Sequence, residues 1–317
     1  MIRTAECITP KHPDKICDRI SDAILDECLK QDSNSRVAIE TCGGHGKVFV
    51  TGEVTTNAEL DIPSIVERVN GEFIDVETNI VKQSNFIAQG VDTGGAGDQG
   101  IMVGYACDEN EEYVPQEYYL ARSLCKWLYK KFPYDGKTQV TLREDDNLFI
   151  VTSFQNTSKY ELQTEVSEWL KTVPYGLMLV HANPAGDWTQ GGFEADAGVT
   201  GRKLVVDNYG PRVPIGGGAF SGKDSSKVDR SAAYMARYIA VNELKEKNLK
   251  ECWVHLSYAI GKKEPLQATV TDGYETWEIP KKYSVYPNDI IEKLDLRKPK
   301  FEKTAEWGHM GTGQVWG

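Results

Sequence analysis

Apolar residues in this chain switch between extended and helical spacing in a fixed order, β-α-β-β-α-β, and that order comes round three times. The first pass has a strand at 2–8, then a helix over 14–30 with Ile16, Ile20, Ile24 and Leu29 at helical spacing. RVAIETC and GKVFVTGEVTT follow as a hairpin turning at Gly43-Gly44-His45-Gly46. A short helix over 63–70, with Pro63 in its first turn, and a strand over 73–81 complete the pass. The second pass reads GIMVGYAC as strand, 116–131 as helix, KTQVTLRE and NLFIVTSF as a hairpin at Asp145-Asp146, 161–171 as helix and GLMLVHA as strand. The third reads KLVVD as strand, 228–247 as helix, CWVHLSYAI and LQATVT as strands and 288–294 as helix. The pattern predicts an α+β fold of three similar modules, 1–92, 93–187 and 188–317, each burying one face of a sheet under its helices. No low-complexity linker separates them, and no repeat at the level of single residues joins the passes.

Charge then removes whole classes of partner. Among 317 residues, 36 Lys and Arg stand against 47 Asp and Glu, a net charge of −11. That balance argues against nucleic acid or an anionic membrane surface as a partner, so a bound anion must be met by a local cluster of cations. No run approaches the ~18 apolar residues of a membrane span. The stretch MIRTAECITPKHPDK lacks the apolar core of a signal peptide, which predicts a cytoplasmic protein. Seven cysteines without a CxxC pair predict reduced, mostly buried thiols rather than a zinc site or a disulfide framework.

Three segments combine glycine with charge. His12-Pro13-Asp14-Lys15 opens a helix, where free backbone N–H groups suit an anion. Asp14 either holds a magnesium ion that bridges phosphates or merely caps the helix, with Asp18 and Asp22 as a solvated face. Gly94 to Gly100 holds four glycines in seven residues, which serves either the close approach of a ligand or a flexible loop. The third segment, Gly216 to Asp224, contains a GxxxxGK match from Gly217 to Lys223. Asp224 stands where a Walker A loop has Ser or Thr, and the Pro-bearing YGPRVPI precedes it instead of a strand, so a P-loop is rejected. Between 202 and 230, six Lys and Arg face three Asp inside this acidic chain, a local reversal that favours a phosphate site. Ser226-Lys227-Val228-Asp229 has the form of a capping box for the helix that follows. Trp188, in an irregular stretch between two glycine-bearing segments, either stacks a base or anchors the core.

Taken in order, HPDKICDRISDAILDECLKQD, RVAIET, GEVTT, QGVD, GAGDQGIMVGYA, TGRKLVVDNYG, GGGAFSGKDSSKVDRSAAYMARY, SYAIG and WGHMG resemble the S-adenosylmethionine synthetases, or methionine adenosyltransferases, over nearly the whole chain. The resemblance implies three α+β modules about a pseudo-threefold axis. It implies attack of the methionine sulfur on C5′ of ATP, loss of the whole triphosphate, and its hydrolysis to phosphate and diphosphate. A thioether has no proton to lose, so the first step needs no general base. The charged leaving group is the difficult part, and preorganised cations and Mg²⁺ are the expected catalytic term.

Carried over by resemblance, His12 contacts the phosphate chain near the breaking C–O bond, and His12, Lys137, Arg202, Lys203 and Lys223 form the catalytic set. Asp14 and Asp229 hold two Mg²⁺, and Glu40 binds one K⁺. Glu53, Gln89 and Asp98 recognise methionine, with Asp196 touching both substrates and Lys227 on the methionine side. Asp135, Gly136 and Lys137 belong to the ATP site, with Arg202, Lys203, Ala219 and Lys223 lining it; Trp188 replaces a family Phe against adenine. The family's pocket lies between two subunits, which implies a homodimer that can pair into a tetramer.

This sequence departs from the family in four places. Only Thr93-Gly94 separate QGVD from Gly95-Ala96-Gly97, where the family has a longer gating loop; a short gate implies faster release or looser substrate choice. Pro10-Lys11 replaces Glu-Gly, Asp187 stands in place of an Arg beside the adenine, and Phe193-Glu194-Ala195 is unlike the family's residues before Asp196. Two rival readings are an ATP- or triphosphate-hydrolysing relative that lost methionine, and a non-catalytic subunit that pairs with an active homologue. The retained methionine residues argue against the first and the retained magnesium carboxylates against the second.

Overall fold

The computed structural model of the chain describes residues 2–83 and 94–317. Gln89, with the rest of QGVD and Thr93, lies outside the described residues. Local chemistry accounts for most element boundaries. Pro13 opens helix α1 (Pro13–Gln31), whose Ile16, Ile20, Ile24 and Leu25 are buried. Strands β1 (Arg3–Ile8), β2 (Arg36–Gly44) and β3 (Lys47–Thr55) flank it. His45 and Gly46, both at positive φ, make the two-residue turn that a tight hairpin between β2 and β3 requires. Helix α2 (Ile62–Asn70) is capped by Asp61, whose carboxylate accepts from the Ser64 N–H, and ends on Gly71 in the left-handed region. Strand β4 (Asp75–Val81) follows.

The second pass gives β5 (Gly100–Cys107), α3 (Gln116–Lys131), β6 (Gly136–Leu142), β7 (Asn147–Phe154), α4 (Lys159–Leu170) and β8 (Gly176–Ala182). Helix α4 starts two residues before the expected 161 because Ser158 and Glu161 form a reciprocal capping box. The third pass departs further. KLVVD is not a strand: Leu204–Asp207 is a short helix, α5. The strand of that pass is the two-residue β9 (Gly198–Val199), after a 3₁₀ turn at Gly192–Glu194. Then come α6 (Val228–Lys247), β10 (Glu251–Tyr258), β11 (Gln267–Thr271), β12 (Thr276–Glu278), α7 (Pro287–Lys293) and α8 (Phe301–Thr304).

Among the described residues the strands form three four-stranded sheets, ordered β1-β6-β7-β8, β9-β2-β3-β4 and β5-β10-β11-β12. No sheet is built from one contiguous pass: β1 joins the second pass, β5 the third, and β9 the first. The first two sheets share one pairing pattern, two antiparallel ladders and then a parallel one. The third differs, because β12 runs antiparallel to β11. Helix α1 lies on β2, α3 on β1 and β6, and α6 on β5 and β10. Gly104 of β5 sets the last contact: a Cβ there would stand 2.1 Å from the Ala236 carbonyl oxygen, so α6 lies directly on the strand. Phe49 is exposed on the face of β3 turned away from α1, and Leu177, Met178 and Leu179 are exposed along the edge strand β8. Six of the seven cysteines are buried free thiols, and Cys42 is exposed.

Candidate active site

The start of α1 builds one group of charges. His12 is the helix cap: its Nδ1 accepts from the Asp14 N–H at 3.2 Å, which leaves the proton of a neutral ring on Nε2. Burial, then the positive charge of Lys203, push the His12 pKa down to about 4, so the ring is a neutral donor near pH 7. Asp14 is fully buried. Its Oδ1 accepts from the Val199 N–H at 3.0 Å and meets Arg202 Nε at 3.0 Å, while Lys203 Nζ binds Oδ2. Burial opposes its charge, but the Lys203 hydrogen bond and the Val199 N–H outweigh that and hold the carboxyl below the usual range. Lys137, half exposed on β6 beside Ile8 of β1, places Nζ 3.5 Å from Glu6.

Asp135, next to Gly136 at the head of β6, accepts from the Gly192 N–H at 2.9 Å. Its burial pushes the carboxyl up to about 6, against the pull of the Gly192 and Gly136 N–H groups. It lines a cleft of about 320 Å³ with Lys11, Tyr134, Gly191 and Gly192. Asp196 is exposed, and its charge is felt by both His12 and Asp135. Trp188 is half-buried and its carbonyl accepts from the Asn156 N–H. Asp187 serves a neighbouring helix: Oδ1 accepts from the Lys159 N–H of α4 at 2.9 Å and from Asn183 Nδ2 at 3.3 Å.

The glycine-rich loop builds a second group. It lies along the edge of β2 as an added strand: Lys223 bridges to Ala38, the Ile39 N–H donates to the Gly222 carbonyl at 3.0 Å, and the Val37 N–H donates to Asp224 Oδ1 at 2.8 Å. Only glycine fits at 222, where φ is +81° and a Cβ would stand 1.9 Å from the Ile39 carbonyl oxygen. Lys223 Nζ reaches Asp229 Oδ2 at 2.7 Å. Two glycines leave room around that carboxylate: a Cβ on Gly218 would lie 2.3 Å from Asp229 Cγ, and one on Gly100 would lie 3.2 Å from Oδ1. The loops of 94–100 and 216–224 thus meet at Asp229. Asp98 in the first of them accepts from the Gln99 N–H at 2.7 Å, and Lys227 pairs with Asp224. Glu53 stands across from Ala38, and Glu40 across from Thr51, on the β2–β3 face turned away from α1.

The two groups sit along one strand edge without merging. Val199 pairs with Cys42 and Lys223 with Ala38, four residues apart on β2, or roughly 13 Å at ~3.3 Å per residue. Ala219 lies between them, 2.7 Å from where a Cβ on Gly201 would be. Among the described residues no ion pair joins the two groups.

Three expectations need correction. Asp14 is not the cap of α1; His12 is. Asp18 and Asp22 are fully buried rather than a solvated face. The capping box at 226–229 does not form: Lys227 holds the cap position with no side-chain bond, and the buried Ser226 hydroxyl has no partner among the described residues. The missed pattern is the spacing of Asp14, Asp18, Asp22 and Asp26, four residues apart on one helix. An isolated solvated helix would tolerate that spacing, so the sequence alone does not reveal what covers it.

Among the described residues no group of three His, Cys, Asp or Glu could hold a metal unaided. Asp14 and Asp229 each offer one carboxylate, already charge-paired with flexible cations. One carboxylate per ion, completed by phosphate oxygens and water, is a donor set that suits magnesium.

Carboxylates and cations gathered on glycine-rich loops of an α+β fold define the class, a protein whose site is built for a polyphosphate and magnesium. The comparisons give the family. Models for the N-terminal, central and C-terminal domains of S-adenosylmethionine synthetase match residues 1–85, 93–174 and 190–316. S-adenosylmethionine synthase of Clostridium tetani (strain Massachusetts / E88) is 40% identical over 98% of this chain and 94% of its own length. That of Petrotoga mobilis (strain DSM 10674 / SJ95) is 39% identical over 99% and 94%. The chain belongs to the S-adenosylmethionine synthetase family. The Clostridium tetani alignment runs to 369 residues, more than this chain has, so that relative carries residues without a counterpart here.

Proposed function

We propose that the two charge groups are halves of one pocket, completed when a second copy of the chain covers the open sheet faces. The reaction is that of the family: S-adenosylmethionine is made from ATP and methionine, and the chain is a methionine adenosyltransferase. The observation that carries the shared pocket is the separation of the His12–Asp14–Arg202–Lys203 group from the Lys223–Asp229 group along β2. Glu40 and Glu53 add support, since they lie on a sheet face that one chain leaves uncovered. The exposed Phe49, Leu177, Met178 and Leu179 give a partner apolar surface to cover. A homodimer is then the smallest active unit, and two dimers can form a tetramer. The three sheets, which trade one strand each, are read as modules about a pseudo-threefold axis with boundaries near 92 and 187. Among the described residues no helix is long and apolar enough to cross a membrane.

In the reaction the methionine sulfur forms the bond to C5′ while the C5′–O bond breaks and its electron pair leaves with the triphosphate. Water then cleaves the triphosphate into phosphate and diphosphate. Lys137, Arg202, Lys203 and Lys223 hold the polyphosphate and meet the charge that builds on the departing oxygen. His12 donates its Nε2–H to a phosphate oxygen, a role its neutral ring fits. Glu53, Gln89, Asp98, Asp196 and Lys227 orient methionine, and Trp188 lies against the adenine. Asp14 and Asp229 would hold two Mg²⁺ and Glu40 one K⁺; these cations neutralise phosphate charge when bound. Arg202, Lys203 and Lys223 would move from the carboxylates onto the phosphates.

The test is product formation. With ATP, methionine, Mg²⁺ and K⁺ the chain should yield the sulfonium product with equimolar phosphate and diphosphate. Chelation of the divalent ion should abolish turnover, and replacing K⁺ by Na⁺ should lower it. Phosphate release that does not require methionine would overturn the reading in favour of a simple phosphohydrolase.

A further inference from the structure

Helix α1 carries an aspartate at every fourth position from 14 to 26, and each accepts backbone N–H groups from one of three segments packed along the helix. Asp14 takes that of Val199 at 3.0 Å, Asp18 that of Gly201 at 2.8 Å, and Asp22 that of Gly222 at 2.9 Å. Asp26 takes those of Lys300, Phe301 and Glu302, all between 2.9 and 3.0 Å, at the start of α8. Four residues make one turn plus ~40°, so the stripe climbs ~6 Å per step while winding slowly around the helix. It therefore meets successive segments as it rises. Two of those anchored residues, Gly201 and Gly222, immediately precede the pocket cations Arg202 and Lys223.

Asp14, Asp18 and Asp22 are fully buried, and the second oxygens of Asp18 and Asp22 are also engaged. Asp18 Oδ2 accepts from Lys15 Nζ at 3.0 Å, and Lys15 is shared with the buried Asp207. Asp22 takes a two-pronged contact from Arg230, at 2.6 and 2.8 Å. Ser21 sits beside them, with its hydroxyl 2.8 Å from Thr200 Oγ1. Carboxylates fixed at both oxygens are rigid acceptors, and a rigid acceptor fixes the N–H it receives.

We propose that Asp18 and Asp22 are positioning residues: buried carboxylates on α1 that hold the Gly201 and Gly222 peptides, and through them aim Arg202–Lys203 and Lys223 at the polyphosphate. The proposal rests on the placing of those cations in the pocket. Asp26 makes the same kind of bond to a segment that carries no pocket residue, so it serves as the internal comparison.

The experiment is a double-mutant cycle on Asp18 and Lys203, read as kcat/KM for ATP together with KM for methionine. An Asn at 18 has one oxygen where the carboxylate has two, so it sets an NH₂ against either Gly201 N–H or Lys15. Asp18→Asn should lower kcat/KM for ATP on the order of ten- to a hundredfold, with KM for methionine changed less than about twofold. In a Lys203→Ala background the same change should cost several-fold less than in the parent chain, because one of the two groups it aims is gone. Ser21→Ala removes one hydroxyl from the same docking and folds more readily; it should show a smaller loss with the same dependence on Lys203. Asp26→Asn should lower the urea midpoint but keep kcat/KM within about twofold and show no coupling to Lys203. Equal fold-losses for Asp18→Asn and Ser21→Ala with and without Lys203, or the same coupling at Asp26, would overturn the positioning role and leave the pocket standing. Full turnover of Lys203→Ala itself would overturn the placing of that lysine, and the positioning role with it.

Discussion

His12 shows how one residue's surroundings decide its chemistry. Its ring is largely buried beside Lys203 and pushed down to about 4, whereas a free histidine titrates near 6.5. Between those values the unfolded chain holds more protons on this residue than the folded one. The stability tied to the neutral ring is therefore complete above about pH 6.5 and declines as pH falls toward 4. Asp26 and Asp135 work the other way: burial pushes each up to about 6, so acidification from there relieves a cost of folding. The His12 share appears only as a difference, and subtracting the urea stability of His12→Asn from that of the parent chain between pH 4 and 7 should expose a deficit that grows toward acid. A flat difference curve would mean the ring is ordinary. Asp187, the position where the resemblance implies an arginine, bonds to the start of α4. Asp187→Ala should lower Tm by ~2–4 °C and leave KM for ATP within about twofold. A large rise in that KM at unchanged Tm would instead put the carboxylate against the nucleotide.

Elements were legible where local rules act alone. Helices 116–131 and 228–247 fall where apolar spacing put them, because one face of each meets a core, and strand 176–182 falls where its apolar run put it although only Ala182 of it is fully buried. KLVVD misled because three apolar residues in a row, two of them β-branched, look extended, while here Asp207 must turn inward to reach Lys15, which a helical turn allows. The strand exchange among sheets was illegible for a different reason: pairing partners lie in other passes, and no local signal names them. The candidate cations and carboxylates were found by motif, but their separation into two groups needed the register of β2. The glycine-rich loop is held on that strand by geometry rather than by side chains. Gly222→Ala should therefore cost at least about 1–2 kcal/mol from the positive φ alone, with turnover lost as Lys223 is displaced. Denaturant titration and initial rates measure both. Unchanged values would mean that the loop's course along β2 is not what places the lysine.

At the scale of the whole molecule, an acidic chain has to gather enough positive charge to hold a triphosphate. One copy presents two partial collections, each already quenched by its own carboxylate and set apart on the edge of one strand. In the proposed dimer the open sheet faces, with Glu40 and Glu53 upon them, are the place where a second copy would bring the missing half. Subunit complementation tests that claim directly. Asp14→Asn and Lys223→Ala damage opposite halves, and each variant alone should be almost inactive. Coexpressed in equal amounts, the two should form mixed dimers in which one site carries both lesions and the other carries none, restoring about one quarter of the parent activity. Coexpressed variants that form mixed dimers yet stay as inactive as either alone would show that each chain completes its own pocket, and would contradict the account.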